Sequence, residues 1–411
     1  MPTVALFLYD DVRARAFAPF ALTRPIGELR IGAPLQRERW ERVVGARVEA
    51  HVTAPHLADF AEPGAAPVLG PGARIPGGAI IANARFVPGL GEKVGAGDVW
   101  ECAGEVAAVR IATEMLVSDV AGGSRTLASM APAGAGRAAI RGRWIAHAWE
   151  IVRDLRTQLN DDLAVLGPTL DTASPGEALV LPGGPPGALY VERGADIEPY
   201  TVFDTSGGPI VIRAGAKVRA FTRIVGPCYI GEGSEVAGGG ERVDGCAIGE
   251  QCRIHGEISR SIVLGYTNKA HAGFVGDSYL GRWVNLGAET VTSNLKNTYG
   301  PVQMWTPAGM RDTELLNLGS LIGDYARTGI GTRLTTGAVV GAGANVFPPG
   351  LSPKMIPPFA WGDGMTPFER FALEKFLTVA DRQMRRRNVS LGERGRRYLT
   401  AVHEQASLVA I

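Results

Sequence analysis

The sequence is short of most features that would place a chain quickly. Its four cysteines, Cys102, Cys228, Cys246 and Cys252, are too few for a disulfide framework and form no CxxC pair, which argues against structural zinc and fits a reducing compartment. Charge of either sign is not in excess: 42 lysines and arginines face 41 aspartates and glutamates. There is therefore no bulk attraction to nucleic acid or to an anionic membrane, and any anionic ligand has to be held by local charge. No apolar run approaches the length of a membrane-crossing helix. The opening, MPTVALFLYDDVRARAF, has only a short apolar stretch and lacks the basic start of a signal peptide. These absences predict a cytoplasmic protein with no nucleic-acid or membrane partner. At 411 residues there is room for two or three domains.

What is abundant is glycine, 55 residues, and it keeps a period. Ile212, Val218, Ile224, Ile230 and Val236 fall six residues apart, and beyond the polar Arg242 the same phase resumes at Ile248 and Ile254. Val191, Ile197 and Phe203 precede it with the same spacing. A second phase reads through Ile262, Phe274, Leu280 and Leu286, and a third through Ile322, Leu334, Val340 and Val346. A helix cannot use a period of six, because successive positions rotate off one face, and a simple strand repeats every two. A short strand plus a sharp turn can: the aliphatic residue points inward and glycine turns the corner. Three such units close a triangular coil, so residues eighteen apart stack, Ile212 under Ile230 under Ile248 and Val218 under Val236 under Ile254. The expectation is a parallel β-helix of hexapeptide repeats. Between Leu286 and Ile322 the hexads give way to a long excursion containing Tyr299, Trp305 and an Asn-Lys-Asn cluster, and such an interruption of a regular coil points to function.

Upstream, residues 1–165 read as alternating strands and helices around a sheet: TVALFLY, GGAIIANARF and GEVAAVRIA as strands, PLQRERWERVVG as a helix, and AWEIVRDLRTQLNDDLAVL as a connecting helix. Pro175 and LPGGPPGAL mark the boundary to the β-helix, residues 176–350. Residues 351–411 read as an extended proline-rich cover and an amphipathic helix, FERFALEKFLTVADRQMRRR, whose terminal arginines suit a solvated helix end.

With the coil placed, NKAHAGFVGDSYLGRWVNLGAETVTSNLKNTYG resembles the acetyltransferase half of the bifunctional N-acetylglucosamine-1-phosphate uridyltransferase/glucosamine-1-phosphate acetyltransferase family. The matched positions are His271, Gly276-Asp277, Asn285-Leu286-Gly287-Ala288 and Asn294. A related branch of sugar nucleotidyltransferases is similar at both ends, through YDD, LTRPIGELRIG and RERW near the N-terminus and GFVGDSYLG, VNLGA and SNLKNTYG in the coil. The resemblance implies a Rossmann-like nucleotidyltransferase domain, a left-handed β-helix and a homotrimer whose neighbouring prisms form the acyl-donor clefts. It also implies a nucleoside triphosphate, a sugar 1-phosphate and acyl-CoA as substrates, with acetyl-CoA as acyl donor and Mg²⁺ as cofactor.

On that resemblance His271 is the general base of an acyl transfer, since imidazole can take the proton of an attacking amine. His255 competes for the role but sits beside a repeat position. Asn285, Asn294 and Lys296 are expected at the sugar phosphate, Lys269 supplies positive charge, and amides near Gly273 or Ala288 face the oxyanion. Two residues depart from the family: Phe274 stands where it has a tyrosine, and Glu289 where it has a glycine. Both argue for a different acceptor.

In the N-terminal half the family's glycine-rich phosphate loop is missing. Arg24, Arg30, Arg13 and Arg15 are the candidates to replace it with guanidinium groups. Asp10 or Asp11 would hold the metal, while Ala82-Asn83 stands where the family has a Gly-Asp metal ligand. Three readings follow: an enzyme with both activities, an enzyme with one decayed half, or a non-catalytic trimeric scaffold that binds sugar nucleotide.

Overall fold

The structure, a computed structural model, describes residues 4–181, 188–240, 242–348, 350–364 and 366–408. Most of the expected LPGGPPGAL boundary therefore lies outside the described residues. The chain forms two compact units. One takes in the chain up to Phe17, Ala21–Ala148 and the C-terminal stretch from Leu391; the other takes in Trp149–Ser390 with Ala18–Phe20.

The first unit is built on a six-stranded mixed sheet of β1 (Leu6–Tyr9), β2 (Val48–Val52), β3 (Ile80–Asn83), β4 (Val99–Cys102), β5 (Glu105–Arg110) and β6 (Arg137–Ala139), in the order β2-β1-β3-β5-β4-β6. β1 is parallel to β2 and β3, with Tyr9 beside Val52 and Asn83, whereas β5 is antiparallel to both β3 and β4. β1 is buried on both faces, so it reads as a continuous apolar run. Helices are scarcer here than the α/β pattern led one to expect. Gln36–Val44 is the α-helix between β1 and β2, closed by Gly45 at φ 75°. Helix Gly392–Leu408 returns to this unit, burying Tyr398, Leu399 and Val402 and pairing Arg397 with Asp59 at 3.0 Å. The segment 351–411 is thus shared between the units rather than forming one cover.

LTRPIGELRIG folds inward. Arg24, Glu28 and Arg30 are 1%, 3% and 4% exposed, and Arg37, Arg39 and His51 join them. Glu28 Oε1 lies 2.8 Å from His51 Nε2 and accepts from Arg37 Nε at 2.8 Å. Arg37 also donates to Glu41 and to the Gly64 carbonyl, and Arg39 to the carbonyls of Ile31 and Pro88. Burial alone would raise the Glu28 carboxyl, but its hydrogen bonds and electrostatic attraction to His51 and Arg37 outweigh that and hold it down at about 2.

The second unit is a parallel β-solenoid whose longest face stacks nine strands, as the six-residue period predicts. Its inner ladder runs Val191, Ile212, Ile230, Ile248, Val263, Leu280, Ile322, Val340 and Ile356. The stacks Ile212–Ile230–Ile248 and Val218–Val236–Ile254 stand in the expected register. Three slots differ. Val243, not Arg242, faces inward beside Ile224, because the turn through glycines 238–240 is one residue longer, and the five-residue step to Ile248 restores the phase. After Ile254 the next inward residue is Ile258, a four-residue step, so the coil shortens and Val263 replaces Ile262 beneath Ile248. The shift carries on to Val275, which fills the inner slot next to Ile258 and turns Phe274 outward.

One corner holds a feature that glycine counting could not reveal. Each coil turns there through a residue of positive φ, at first Gly215 and Gly233, then Gln251, Tyr266, Trp283 and Tyr325 at 54–60°. An L-residue in that conformation costs about 1–2 kcal/mol. Packing offsets it: Tyr266 and Trp283 lie 4.4 Å apart, Trp283 and Tyr325 stack at 6.4 Å, and Phe376 of helix Leu373–Arg385 meets Tyr325 edge-on at 5.9 Å. The helix is fastened along this corner by Gln383, which donates to the Trp283 carbonyl at 2.6 Å, and just beyond its end by Arg387, which donates to Asn268 and the Gln251 carbonyl. Arg387 is therefore tied to the coil rather than left in solvent. Helix Leu155–Leu166 lies against another corner, with Arg156 bonded to Asp244 at 3.2 Å.

Candidate functional sites

In the solenoid, His271 and Ala272 are exposed at a corner that carries neither helix. The coils stack closely here: Glu289 N–H donates to the Ala272 carbonyl at 2.9 Å, and a Cβ on Gly273 (φ 127°) would stand 2.3 Å from the Thr290 carbonyl oxygen. Among the described residues the His271 ring has no hydrogen-bond partner, so the imidazole is open to a ligand.

Lys269 explains how the histidine turn is held. It occupies an inward slot directly beside Ile254, where the ladder otherwise calls for an aliphatic side chain, and is 2% exposed. Its ammonium donates to the carbonyls of His255 and, at 3.0 Å, of His271. Lys269 therefore spends its charge on the backbone of the turn instead of presenting it to substrate, and His255 contributes its carbonyl to the same anchor.

The other expected solenoid residues are distributed around the prism. Asn294 donates to Asp277 Oδ2 at 2.6 Å, and Arg260 grips the same carboxylate with two bonds of 2.7 and 2.8 Å. Asp277 is buried at φ 46°. Phe274 lies on the outer surface next to this cluster, since a Cβ on Gly276 would meet both the Phe274 ring and the Asn294 amide. Lys296 closes its own loop by donating to the Pro301 carbonyl at 2.6 Å. Asn285 is not beside His271: it accepts from Asn268 at 3.3 Å on the face shared with Arg387. Ala288 and Glu289 lie in the coil above the histidine turn, and the Ala288 carbonyl accepts from Gly331 N–H. The excursion forms an antiparallel hairpin, Gln303–Thr306 with Gly309–Asp312, that buries Met304 while Tyr299 stays exposed.

The N-terminal unit has a cavity of about 490 Å³ at the carboxyl ends of β1 and β3, where Asp11, Arg13, Asn83, Arg85, Arg125 and Trp144 are among its walls. This is where open α/β sheets bind ligands. Arg85 dominates it. Its Nε and Nη2 bind Asp11 at 2.7–2.9 Å, its Nη1 donates to the Ile145 carbonyl at 2.8 Å, and its guanidinium lies over the Trp144 ring at 5.2 Å. Burial pushes the Asp11 carboxyl up, but the Arg85 hydrogen bonds and charge and the Asn83 amide outweigh it and hold it low. The Tyr9 hydroxyl donates to the Arg125 carbonyl at 2.8 Å, and burial pushes that phenol up to about 12. Neither Arg85 nor Trp144 stands out in the sequence; the one signal there is an arginine two residues past the strand-end Asn83.

Of the arginines expected to cradle phosphate, Arg24 pairs with Glu62 at 3.7 Å over the Phe60 ring and Arg30 donates to the Ala33 carbonyl, so neither lines the cavity. Arg15 Nε donates to the Asp10 carbonyl at 3.1 Å. The residues expected to hold Mg²⁺ do not fit it. Asp11 Oδ1 accepts from Ala14 N–H and Arg85, and its Oδ2 from Asn83 and Arg85, which fills its lone pairs. Asp10 is 2% exposed and outside the cavity wall; its Oδ2 accepts from Thr53 and Ile26, and burial raises its carboxyl. Among the described residues no cluster of three or more His, Cys, Asp or Glu could hold a metal ion, and no helix is long and apolar enough to cross a membrane.

Comparison with known proteins agrees with both ends of the resemblance. Residues 6–168 match the sugar nucleotidyl transferase family model. The chain is 36% identical over 86 residues to a bifunctional protein GlmU of Methanococcus vannielii, covering 21% of this chain and 20% of that protein. It is 30% identical over 92 residues to a bifunctional sugar-1-phosphate nucleotidylyltransferase/acetyltransferase of Sulfurisphaera tokodaii, covering 22% and 23%. A GlmU of a Jannaschia species is 28% identical over 174 residues, covering 40% and 37%. The chain thus spans about a fifth of the length of the first two relatives and little more than a third of the third.

Proposed function

We propose that this chain is a transferase of sugar-nucleotide metabolism: its N-terminal unit binds a sugar phosphate or nucleotide, and its solenoid moves an acetyl group from acetyl-CoA to the amine of a sugar phosphate. The observation that carries the reading is the exposed His271, on a corner bare of helices and on a turn pinned from inside the coil by Lys269. The neutral amine attacks the thioester carbonyl, the nitrogen–carbon bond forms, and the carbon–sulfur bond breaks. His271 takes the amine proton and returns it to the departing thiolate. Amides at Gly273 and Ala288 are the candidates to face the oxyanion. A homotrimer, in which a neighbouring prism closes the open corner, would complete the acyl-donor cleft.

Phe274 and Asn294 share the outer surface next to the histidine turn, so an apolar ring stands where the related enzymes place a hydroxyl. The acceptor is accordingly a less hydroxylated or differently substituted amino sugar than glucosamine 1-phosphate. Thiol release from acetyl-CoA across a panel of amino-sugar phosphates, run beside pyrophosphate release from nucleoside triphosphates, tests the assignment. Thiol release with one acceptor is expected, and silence with all of them would remove the acyltransferase reading.

Lys269 supplies a second test. Lys269→Met restores an apolar inward rung but frees the His271 carbonyl, so kcat should fall roughly tenfold or more. The KM for acetyl-CoA and the thermal midpoint should stay near those of the unmodified protein. An unchanged kcat would reduce Lys269 to a filler of the coil.

A further inference from the structure

We propose that the N-terminal cavity binds a phosphate ester through guanidinium groups and without a divalent cation, Asp11 serving as the buttress of Arg85 rather than as a metal ligand. The proposal rests on the reading of this unit as a sugar-phosphate or nucleotide binder. A Mg²⁺ site needs carboxylate or water oxygens with lone pairs to give, usually one or two carboxylates beside the phosphates. At the cavity wall the Asp11 lone pairs are spent, and Asp10, whose Oδ1 has no partner among the described residues, is buried outside that wall. Both Asp11 oxygens are filled by Arg85, Asn83 and the Ala14 amide, and the Asn83 carbonyl oxygen accepts the Arg85 amide at 2.9 Å. The three side chains form a closed set in which the carboxylate fixes the guanidinium.

Charge at the cavity wall favours an anion. Arg85 pairs with Asp11 and Arg137 with Glu101, which leaves Arg13 and Arg125 against the single carboxylate of Glu105. Arg13 and Arg125 are exposed and, among the described residues, have no acidic partner. The Tyr9 hydroxyl bond to the Arg125 carbonyl and the Val12 amide bond to the Gly123 carbonyl tie the two arginine-bearing segments together. Arg85 uses three of its five N–H groups on Asp11 and Ile145, so two remain for a ligand. Guanidinium forks match phosphate oxygens in pairs, the Trp144 ring offers a flat apolar wall, and a cavity of about 490 Å³ is of the size that takes a small ligand.

The test titrates the full chain with glucose 1-phosphate and, separately, with uridine diphosphate, by calorimetry in EDTA and again in excess Mg²⁺. Binding of at least one probe is expected, with dissociation constants in the two buffers agreeing within twofold. The probe that binds tells a sugar phosphate from a nucleotide. Glucose 1-phosphate holds Mg²⁺ weakly, so its titration reads the protein's own need for the ion. The Arg13→Ala/Arg125→Ala double variant should weaken binding tenfold or more. Asp11→Asn, which loosens Arg85, should weaken it by the same factor in both buffers. Affinity that rises more than tenfold with Mg²⁺, or an Asp11→Asn defect confined to the Mg²⁺ buffer, would restore a metal site and overturn the proposal. Binding of neither probe would overturn it together with the ligand-binding reading of this unit. Thiol release at His271, assayed in EDTA, is untouched by either result and keeps the two accounts separable.

Discussion

His271→Ala is expected to slow thiol release from acetyl-CoA by roughly a hundredfold to ten-thousandfold, the range over which a positioned general base accelerates proton transfer. The loss should fall on kcat, because the ring takes the proton only as the nitrogen–carbon bond forms and contributes little to holding the thioester. Stability should not follow. The side chain is exposed and among the described residues bonds to nothing, so unfolding should shift by no more than about 0.5 kcal/mol. A variant that lost activity and melted early would place His271 in the scaffold; one that kept full activity would end its role as base. Phosphate-ester binding in the N-terminal unit should be the same in this variant as in the parent chain.

The second large effect is expected at Glu28. Glu28→Ala leaves His51 and Arg37 buried without their shared carboxylate, and breaking a buried pair in this way costs about 3–5 kcal/mol. Hydrogen exchange on the Leu6–Tyr9 and Ile80–Asn83 strands would read the loss in the unit concerned, whereas exchange in the solenoid should be little changed. The same carboxylate sets an acid limit. Its pKa in the folded chain is held at about 2, against 4.5 for an ordinary glutamate, so its contribution is complete above the unfolded value and disappears as pH falls from about 5 towards 2. The amount is about 3 kcal/mol, at 1.36 kcal/mol per unit. In Glu28→Gln that part of the acid slope should vanish. A loss below about 1 kcal/mol in Glu28→Ala, or an unchanged acid slope in Glu28→Gln, would mean that the network is incidental to folding.

These two positions also show what could be read from the residues and what could not. The coil was legible because its physics is periodic: an inward aliphatic residue every six positions survives any ignorance of side-chain detail, and the Ile212–Ile230–Ile248 stack stands where the spacing puts it. The period fails where a turn changes length. The four-residue step from Ile254 to Ile258 and the five-residue step on to Val263 set a local phase, which is why Val263 and Val275, not Ile262 and Phe274, face the interior, and a further five-residue step to Leu280 returns the coil to the expected slot. Lys269 hides its role for a related reason: charge in a sequence looks like surface, and only the register beside Ile254 shows it inside the coil. The aromatic corner was hidden because positive φ is expected of glycine, whereas here the stacked rings of Tyr266, Trp283 and Tyr325 sustain it.

LTRPIGELRIG carries the same lesson in the N-terminal unit. Its arginines were candidates for phosphate because the glycine-rich loop is absent, yet Arg24 and Arg30 are satisfied by Glu62 and a backbone carbonyl in the interior. Of the four expected arginines Arg13 does line the cavity, and the cations beside it come from elsewhere in the chain, Arg85 past the end of β3 and Arg125 on a loop fastened by Tyr9. Nothing in local spacing links those positions; the sheet order does, by setting β1 beside β3.

The most direct test of the acyl-transfer account is an experimental structure of the protein with coenzyme A bound. It predicts the thiol sulfur beside the His271 imidazole, on the corner formed by the His271 and Glu289 turns. Coenzyme A seated on another corner, or an imidazole folded back into the prism with no path to the sulfur, would contradict it.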